Sequence, residues 1–452
     1  MQNIEYNREF KESFRKIALP VALQNMLFIS LNFVDSLMVG RLGQAEFNAV
    51  GLGGQYYFLI NLFVVGTASA SLIYMSQYFG NDDLVGYRKA SGLAVISCFI
   101  IGLIAALLAI SIPAKIIAIF SKDQAIIDYG VKYLSIVGLQ LPIMGITLPL
   151  AMSSRAARNA KLPLVISAIS LVANTLLNYI LIFGKLGMPA MGVSGAALAT
   201  LSSSALGLLL YIIIINATDN PLRAPLKAFF KIDKAFVVKV YKTGWTVVIH
   251  ECLWSLGISL FIVILSRLRT DGYTAYRIAA QFTRFEFIFA MAISSSASVT
   301  IGQLLGRKDI DKALAYERKY AKTQVAINVV VSILIVFITY ALVDLFNVSA
   351  AIKRDAIYMA IALCIFLPFK AYSGMQAAGI LRAGGDTKLP VFFELVGTYF
   401  VDVPVLYLLL TYTKLPSPTI IFFASSGAIL TSILLYRRVK SGKWAKNLIS
   451  DC

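Results

Sequence analysis

The sequence is poor in charged residues and in the residues that build metal sites and disulfide bonds. Charged side chains make up 14% of the 452 residues, well below the roughly 25% of soluble domains. Histidine occurs once, and the four cysteines are isolated from one another. The composition therefore predicts no disulfide framework and no zinc or haem chemistry, and it argues against a chain covered by a charged, water-facing surface.

Long apolar runs dominate what is present. Hydrophobic residues make up 58% of the chain, and continuous apolar runs recur along it, for example at 94–112, 164–183 and 325–342. Each can cross a hydrocarbon core of about 30 Å at about 1.5 Å per residue. Because the runs are continuous and do not alternate, they predict helices and not barrel strands. Twelve spans are predicted, near 15–39, 50–79, 92–112, 128–153, 162–184, 193–216, 242–266, 274–305, 323–342, 356–381, 389–413 and 417–436.

The net charge of +18 indicates how these spans are oriented. Lysine and arginine lie in short segments between the spans, and no basic face is interleaved with aromatic residues as nucleic-acid binding would need. Of the 41 basic residues, 28 fall with the two termini and the even-numbered loops, 10 in the odd-numbered loops and three inside spans. This asymmetry predicts that both termini lie in the cytoplasm, and the distribution of basic residues indicates no nucleic-acid partner.

The chain also repeats itself, with a second half that resembles the first. Residues 77–83, after the second predicted span, resemble 303–309 after the eighth. Residues 155–163, after the fourth span, resemble 382–390 after the tenth, at nearly the same sequence offset. With six spans in each half, the two halves share one orientation and form parallel repeats, with the substrate path between them.

The repeat predicts the organisation of the whole chain. We expect an all-α integral membrane protein of about twelve spans, with a six-helix lobe at 1–216 and a second at 242–436. A basic cytoplasmic linker at 217–241 joins the lobes, and a cytoplasmic tail follows at 437–452.

One candidate site lies in the first half. Asp35 is the only acidic residue deep within a span there, Asn174 and Asn178 are one helical turn apart in the fifth span, and Thr200 lies in the sixth. An ionisable group at mid-depth costs roughly 2.5–3.5 kcal/mol on insertion scales, so its presence calls for a function. A carboxylate with amide and hydroxyl oxygens is suited to a proton or a hard cation such as Na⁺. The alternative is that the amides form interhelical hydrogen bonds.

The second half carries more charge within its predicted spans. The candidate proton or substrate site there comprises Glu251, Arg284, Lys370, Glu394 and Asp402. Two interpretations stay open. Lys370 neutralises Glu394 or Asp402 and the charges hold the bundle together, or a proton relay runs through Glu251 and its neighbours.

Three segments give the chain a family resemblance. Residues 34–43, 187–197 and 379–387 resemble the multidrug and toxic-compound extrusion (MATE) exporters. The resemblance implies a V-shaped pair of six-helix lobes that exports organic, often cationic, drug-like compounds in exchange for Na⁺ or H⁺. It also implies that Asp35 binds the coupling cation, joined by Asn174, Asn178 and Thr200.

The chain departs from both well-known bacterial branches of that family. The DinF-type branch carries an aspartate where this chain has Asn178, and the NorM-type carboxylate of the tenth span aligns with Ala371. The seventh-span glutamate of the NorM-type branch falls nearer Trp254 than Glu251. We therefore expect no close match to either branch, and the NorM-type second site is not carried over.

Other classes of function fit the sequence less well than transport. A membrane enzyme is disfavoured because the spans contain no Asp-x-x-Asp pair and the chain has a single histidine. A flippase for a lipid-linked precursor is the alternative, since Arg277, Arg284 and Lys370 are suited to a pyrophosphate head group. The expected partners are a small organic substrate and membrane lipid, with no cofactor beyond the coupling Na⁺ or H⁺. The expected state is a monomer.

Overall fold

The computed structural model describes residues 2–225, 227–268 and 270–450, so Arg269, which the charge count includes, and Cys452 at the end of the predicted tail lie outside the described residues. Every regular element within those ranges is helical. The α-helices are α1 Gln2–Gly40, α2 Gln44–Gly80, α3 Leu84–Ser111, α4 Pro113–Ala118, α5 Gln124–Val137, α6 Gln140–Ala156, α7 Lys161–Phe183, α8 Gly192–Ala217, α9 Lys227–Phe230, α10 Lys234–Leu265, α11 Thr270–Gly306, α12 Ile310–Leu342, α13 Ala350–Gly374, α14 Lys388–Leu395, α15 Val403–Tyr412, α16 Ser417–Phe423 and α17 Gly427–Lys440.

The number of spans agrees with the sequence. Among the described residues, eleven helical segments are long and apolar enough to cross a membrane, and the pair α5 and α6, bent by 48°, brings the number to twelve when taken as one span. The bend falls where Pro142 cannot donate to the carbonyl of Gly138, so the helix loses one backbone hydrogen bond there. The prediction of an all-α membrane protein with about twelve spans is confirmed.

Three spans near the C-terminus are irregular. α13 continues into a π-helical segment, Met375–Leu381, and a second one, Val396–Asp402, separates α14 from α15. The last span breaks between α16 and α17. At that break the Asp402 carboxylate accepts a hydrogen bond of 2.8 Å from the Gly427 N–H, the first residue of α17. Asp402 therefore satisfies a backbone donor that the broken helix leaves free.

The chain forms two compact units. Leu19–Val248 form one, called here the N-terminal unit, and Met1–Ala18 with Ile249–Cys452 form the other, the C-terminal unit. The predicted lobe limits, 1–216 and 242–436, are drawn from span boundaries and stay a prediction.

Each unit has its own packing. In the N-terminal unit α3 and α6 approach closely at Gly145. A side-chain carbon added to Gly145 of α6 would lie only 2.4 Å from the carbonyl oxygen of Cys98 in α3. Small residues at such crossings let membrane helices pack tightly. In the C-terminal unit the start of α1 packs on α12, where the ring of Phe10 stands edge-on to Tyr320 with centroids 4.9 Å apart.

The backbone repeats along with the sequence. Asp82 and Lys308, at corresponding positions of the two repeated motifs, both adopt the left-handed conformation, with φ of 56° and 62°. The next residue in each case is an aspartate that caps the following helix: Asp83 accepts from Gly86 N–H and Asp309 from Lys312 N–H. The predicted internal repeat is therefore present in the structure.

Candidate functional site

Asp35 is linked to two of the predicted residues in the N-terminal unit, directly to Asn178 and through it to Asn174. Asn174 and Asn178 lie one turn apart on α7 and are each 1% exposed. The Asn178 side-chain amide donates to Asp35 Oδ1 at 2.6 Å and to Asn174 Oδ1 at 2.9 Å. The structure thus joins α1 to α7 through one carboxylate and two amides.

The Thr200 hydroxyl bonds to the backbone of its own helix. Its hydroxyl donates to the Ala196 carbonyl one turn back on α8, at 2.9 Å. The hydroxyl that reaches the asparagines belongs to Ser203, which accepts from the Asn174 amide at 3.3 Å and donates to the Thr200 carbonyl. Ser203 was missed by the sequence analysis, although it lies three residues after Thr200 and thus on the same helix face.

A tyrosine from α5 approaches the same carboxylate. Tyr133 interacts electrostatically with Asp35. Its ring covers Gly53 of α2 so closely that an added side-chain carbon there would lie 2.5 Å from the ring. Gly53 therefore makes room for Tyr133, and no periodic pattern in the sequence indicates this contact.

The cluster leaves acceptors available for a cation. Among the described residues, Asp35 has no ion pair with lysine or arginine. Asn178 Oδ1 is buried and has no hydrogen-bond partner there either. Buried polar atoms are normally bonded, so an orphan acceptor beside a carboxylate calls for an explanation. Carboxylate and amide oxygens are the ligand types of hard cations, and a carboxylate also binds a proton.

The C-terminal unit contains a second cluster, built around the only histidine. His250 Nε2 contacts Glu394 Oε2, and His250 Nδ1 lies 3.8 Å from Glu251 Oε1. Arg382 Nη2 lies 3.4 Å from Glu251 Oε1 and 3.4 Å from His250 Nδ1. The four side chains are between 9% and 18% exposed. We call these residues the histidine cluster.

The other predicted residues of that unit lie apart from the histidine cluster. Lys370 and Arg284 are exposed. Lys370 interacts electrostatically with Asp402 and with Glu286, but it forms no ion pair with them within the described residues. Glu286 is buried, and its Oε1 has no hydrogen-bond partner among those residues.

The proposed pairing of Lys370 with Glu394 is therefore wrong, because Glu394 contacts His250 instead. Arg382 was missed as a site residue because it follows the tenth predicted span and was counted as a loop cation. The structure buries it, leaving it 8% exposed. Its place in the repeated motif was the signal that could have identified it.

Repeated halves of membrane-spanning helices with buried polar clusters inside them are the architecture of secondary transporters. The profile of the MatE family matches residues 20–180 and 247–408 of this chain. The chain belongs to the MATE family of multidrug efflux transporters, and it is a transporter and not an enzyme.

Individual relatives resemble the chain over nearly its whole length. "Probable multidrug resistance protein NorM" of Mannheimia succiniciproducens is 25% identical, covering 98% of this chain and 97% of the relative. The protein of the same name from Pasteurella multocida is 28% identical, covering 94% and 92%. Among solved structures, "Outward-facing conformation of a multidrug resistance MATE family transporter of the MOP superfamily" matches with a TM-score of 0.86 at 18% identity, covering 96% of this chain and 97% of that one. These identities agree with the expectation of no close match.

Proposed function

We propose that this transporter exports organic, cationic compounds by antiport with Na⁺ or H⁺, and that the coupling ion binds at Asp35. The observation that carries the proposal is the pairing of an uncompensated carboxylate with the orphan acceptor Asn178 Oδ1. Asn174 and Ser203 hold that acceptor in place through the hydrogen bonds of α7 and α8. Thr200 contributes its carbonyl to the same chain of hydrogen bonds.

The proposed setting is a bacterial inner membrane with both termini in the cytoplasm. The orientation rests on the charge asymmetry, in which 28 basic residues fall on the side of the termini and 10 on the other, and the membrane is inferred from the bacterial relatives. We further propose a monomer surrounded by lipid, with a small organic substrate as its partner.

The driving force follows from the charges exchanged. Moving one charge through 100 mV is worth about 2.3 kcal/mol. Expelling one monovalent cation while admitting one Na⁺ or H⁺ moves no net charge. The membrane potential therefore does not oppose the exchange. The chemical gradient of the coupling ion then supplies the drive, at about 1.4 kcal/mol for each tenfold ratio of concentrations.

The flippase alternative is not favoured. The chain belongs to the MATE family, and the relatives from Mannheimia succiniciproducens and Pasteurella multocida are named probable multidrug resistance proteins. In addition, Lys370 interacts electrostatically with Glu286 and Asp402, and the negative charge of these carboxylates repels a pyrophosphate.

Everted membrane vesicles test the proposal directly. A fluorescent organic cation is followed while a Na⁺ gradient and a pH gradient are imposed separately, and one of them should drive uptake into the everted vesicles. The Asp35→Asn variant should lose that uptake, because the amide keeps the shape of the carboxylate and removes its charge. Asp128→Asn, an exposed acid on α5, is the matched control and should transport normally. Transport by Asp35→Asn at the wild-type rate under both gradients would place the coupling ion elsewhere.

A further inference from the structure

The N-terminal unit contains a hydrogen-bonded chain around Arg155, at the end of α6. Arg155 Nη2 donates to Gln24 Oε1 at 2.6 Å. Gln24 in turn donates through Nε2 to Ser167 Oγ at 2.9 Å. The chain thus links α1, α6 and α7 through one guanidinium, one amide and one hydroxyl.

The histidine cluster is the repeat-related counterpart of this chain. The sequence offset from Arg155 to Arg382 is the same as that from Gln24 to Glu251. Ser167 and Glu394 are separated by that same offset. The arginine occupies the same place in both halves and contacts the same repeat position, at 2.6 Å in one and 3.4 Å in the other.

The two clusters differ in which members carry charge. The amide and hydroxyl of the N-terminal unit are replaced by two carboxylates in the C-terminal unit, and a histidine stands beside the first of them. With a neutral imidazole, Arg382, Glu251 and Glu394 together carry a charge of −1. One added proton brings the cluster to zero, and burial favours the arrangement with the smaller net charge.

The charged groups that face the imidazole are all accounted for within the described residues. Glu251 belongs to α10 itself, Glu394 comes from α14, and Arg382 follows the π-helical segment of the tenth span. Glu251 already has the guanidinium as its partner, at 3.4 Å. Glu394 contacts the imidazole instead, so these two groups are the ones placed to take up an added proton.

We propose that His250 and Glu394 form a proton-binding site in the C-terminal unit, for which the Glu251–Arg382 ion pair is the fixed counter-charge. On protonation, a hydronium ion gives its proton to His250 Nδ1 and leaves as water, and Nδ1 gives up its contact with Arg382 Nη2. The imidazolium then donates from Nε2 to Glu394 and directs Nδ1 towards Glu251. The site is separate from Asp35, and it deepens the proposed function by giving the second unit a proton of its own.

The single histidine makes the site directly observable. The protein is produced with ¹³C- and ¹⁵N-labelled histidine and a tag without histidine, and it is purified into lipid nanodiscs. The ring-nitrogen chemical shifts then report the protonation state of His250 alone. In the wild-type protein we expect a cationic ring at pH 7. In Glu394→Gln, which keeps the shape of the side chain, the ratio of protonated to neutral imidazole at pH 7 should fall at least tenfold.

Two further variants separate the possible outcomes. Asp344→Asn removes an exposed carboxylate of the same unit that pairs with Lys353, and it should leave the histidine signal unchanged. Glu394→Ser installs the residue of the N-terminal repeat and serves as a second test if the glutamine variant does not fold. A neutral imidazole in the wild-type protein at pH 7 would overturn the proposal, and so would an unchanged ratio in the Glu394 variants. The ring-nitrogen signal of His250 does not depend on transport. If the transport test showed that Asp35 is not the coupling site, the conclusion about His250 and Glu394 would still stand or fall on this signal.

Discussion

The repeat-related arginines offer a matched pair of perturbations. Arg382→Met removes the guanidinium that accompanies Glu251, and Arg155→Met removes the one that contacts Gln24. The change in side chain is the same in both variants. What differs is the group left behind, which is a carboxylate in the C-terminal unit and a neutral amide in the N-terminal unit.

The structure sets the size of each effect. The side chains of Arg382 and Glu251 are 9% and 18% exposed, so removal of one partner leaves a largely buried charge. Such a loss costs roughly 3–5 kcal/mol. Losing the partner of the Gln24 amide leaves a polar group without its hydrogen bond, which costs about 1–3 kcal/mol. We therefore expect Arg382→Met to be the more destabilising variant by about 2 kcal/mol.

The assay is unfolding by titration with SDS in mixed micelles, followed by circular dichroism. Adding Glu251→Gln to Arg382→Met should recover most of the lost stability, since the pair is then neutral on both sides. The reasoning is refuted if Arg382→Met unfolds no more readily than Arg155→Met. It is also refuted if the double variant is less stable than Arg382→Met alone.

Three further predictions concern separate parts of the chain. Ser203→Ala should weaken binding of the coupling ion, measured by the ion concentration that gives half-maximal transport, more than Thr200→Val does, because only the Ser203 hydroxyl reaches the asparagines. The Lys89 ammonium holds the pKa of Asp233 below its usual range, so this pair stabilises the protein at neutral pH, and the stabilisation is lost as pH falls through the lowered pKa. Asp233→Asn should therefore lower the melting temperature more at pH 7 than at pH 3. Lys443→Cys should resist an impermeant thiol reagent applied to intact cells, and labelling there would contradict the cytoplasmic tail.

Much of the fold follows from patterns that lie within short stretches of sequence. The spans follow from apolar runs, and the repeat follows from motifs such as the one ending at Asp83 and Asp309, whose capping role depends only on the next three residues. The pairing of Asn174 with Asn178 is equally local, because residues four apart share a helix face.

Contacts between distant helices were harder to predict. His250 and Glu394 are 144 residues apart, and no local pattern says which span neighbours which. Hydrophobicity within a membrane does not select partners either, since lipid is as apolar as the side chains. Asp402 shows a further limit: its partner is the backbone N–H at a break in the last span, and backbone irregularity leaves little trace in composition.

The final prediction concerns the stability of Asp35→Asn. Asp35 has no ion pair in the described part of the chain, and Arg155, the arginine that opens the repeated motif of the same unit, contacts Gln24. Gln24 lies eleven residues before Asp35 on α1, which is about 16 Å along a helix and too far for a direct contact.

An uncompensated carboxylate within a span is costly, so its removal should help folding. Asparagine keeps an oxygen that accepts from Asn178, so Asp35→Asn preserves the hydrogen bond and removes the charge. We expect the variant to be at least as stable as the wild-type protein, by some part of the roughly 2.5–3.5 kcal/mol that an ionised side chain costs at mid-depth. SDS titration measures this alongside transport in vesicles. Greater stability with lost transport would show that the Asp35 charge serves transport although it destabilises the protein. A marked loss of stability would instead make Asp35 a structural residue.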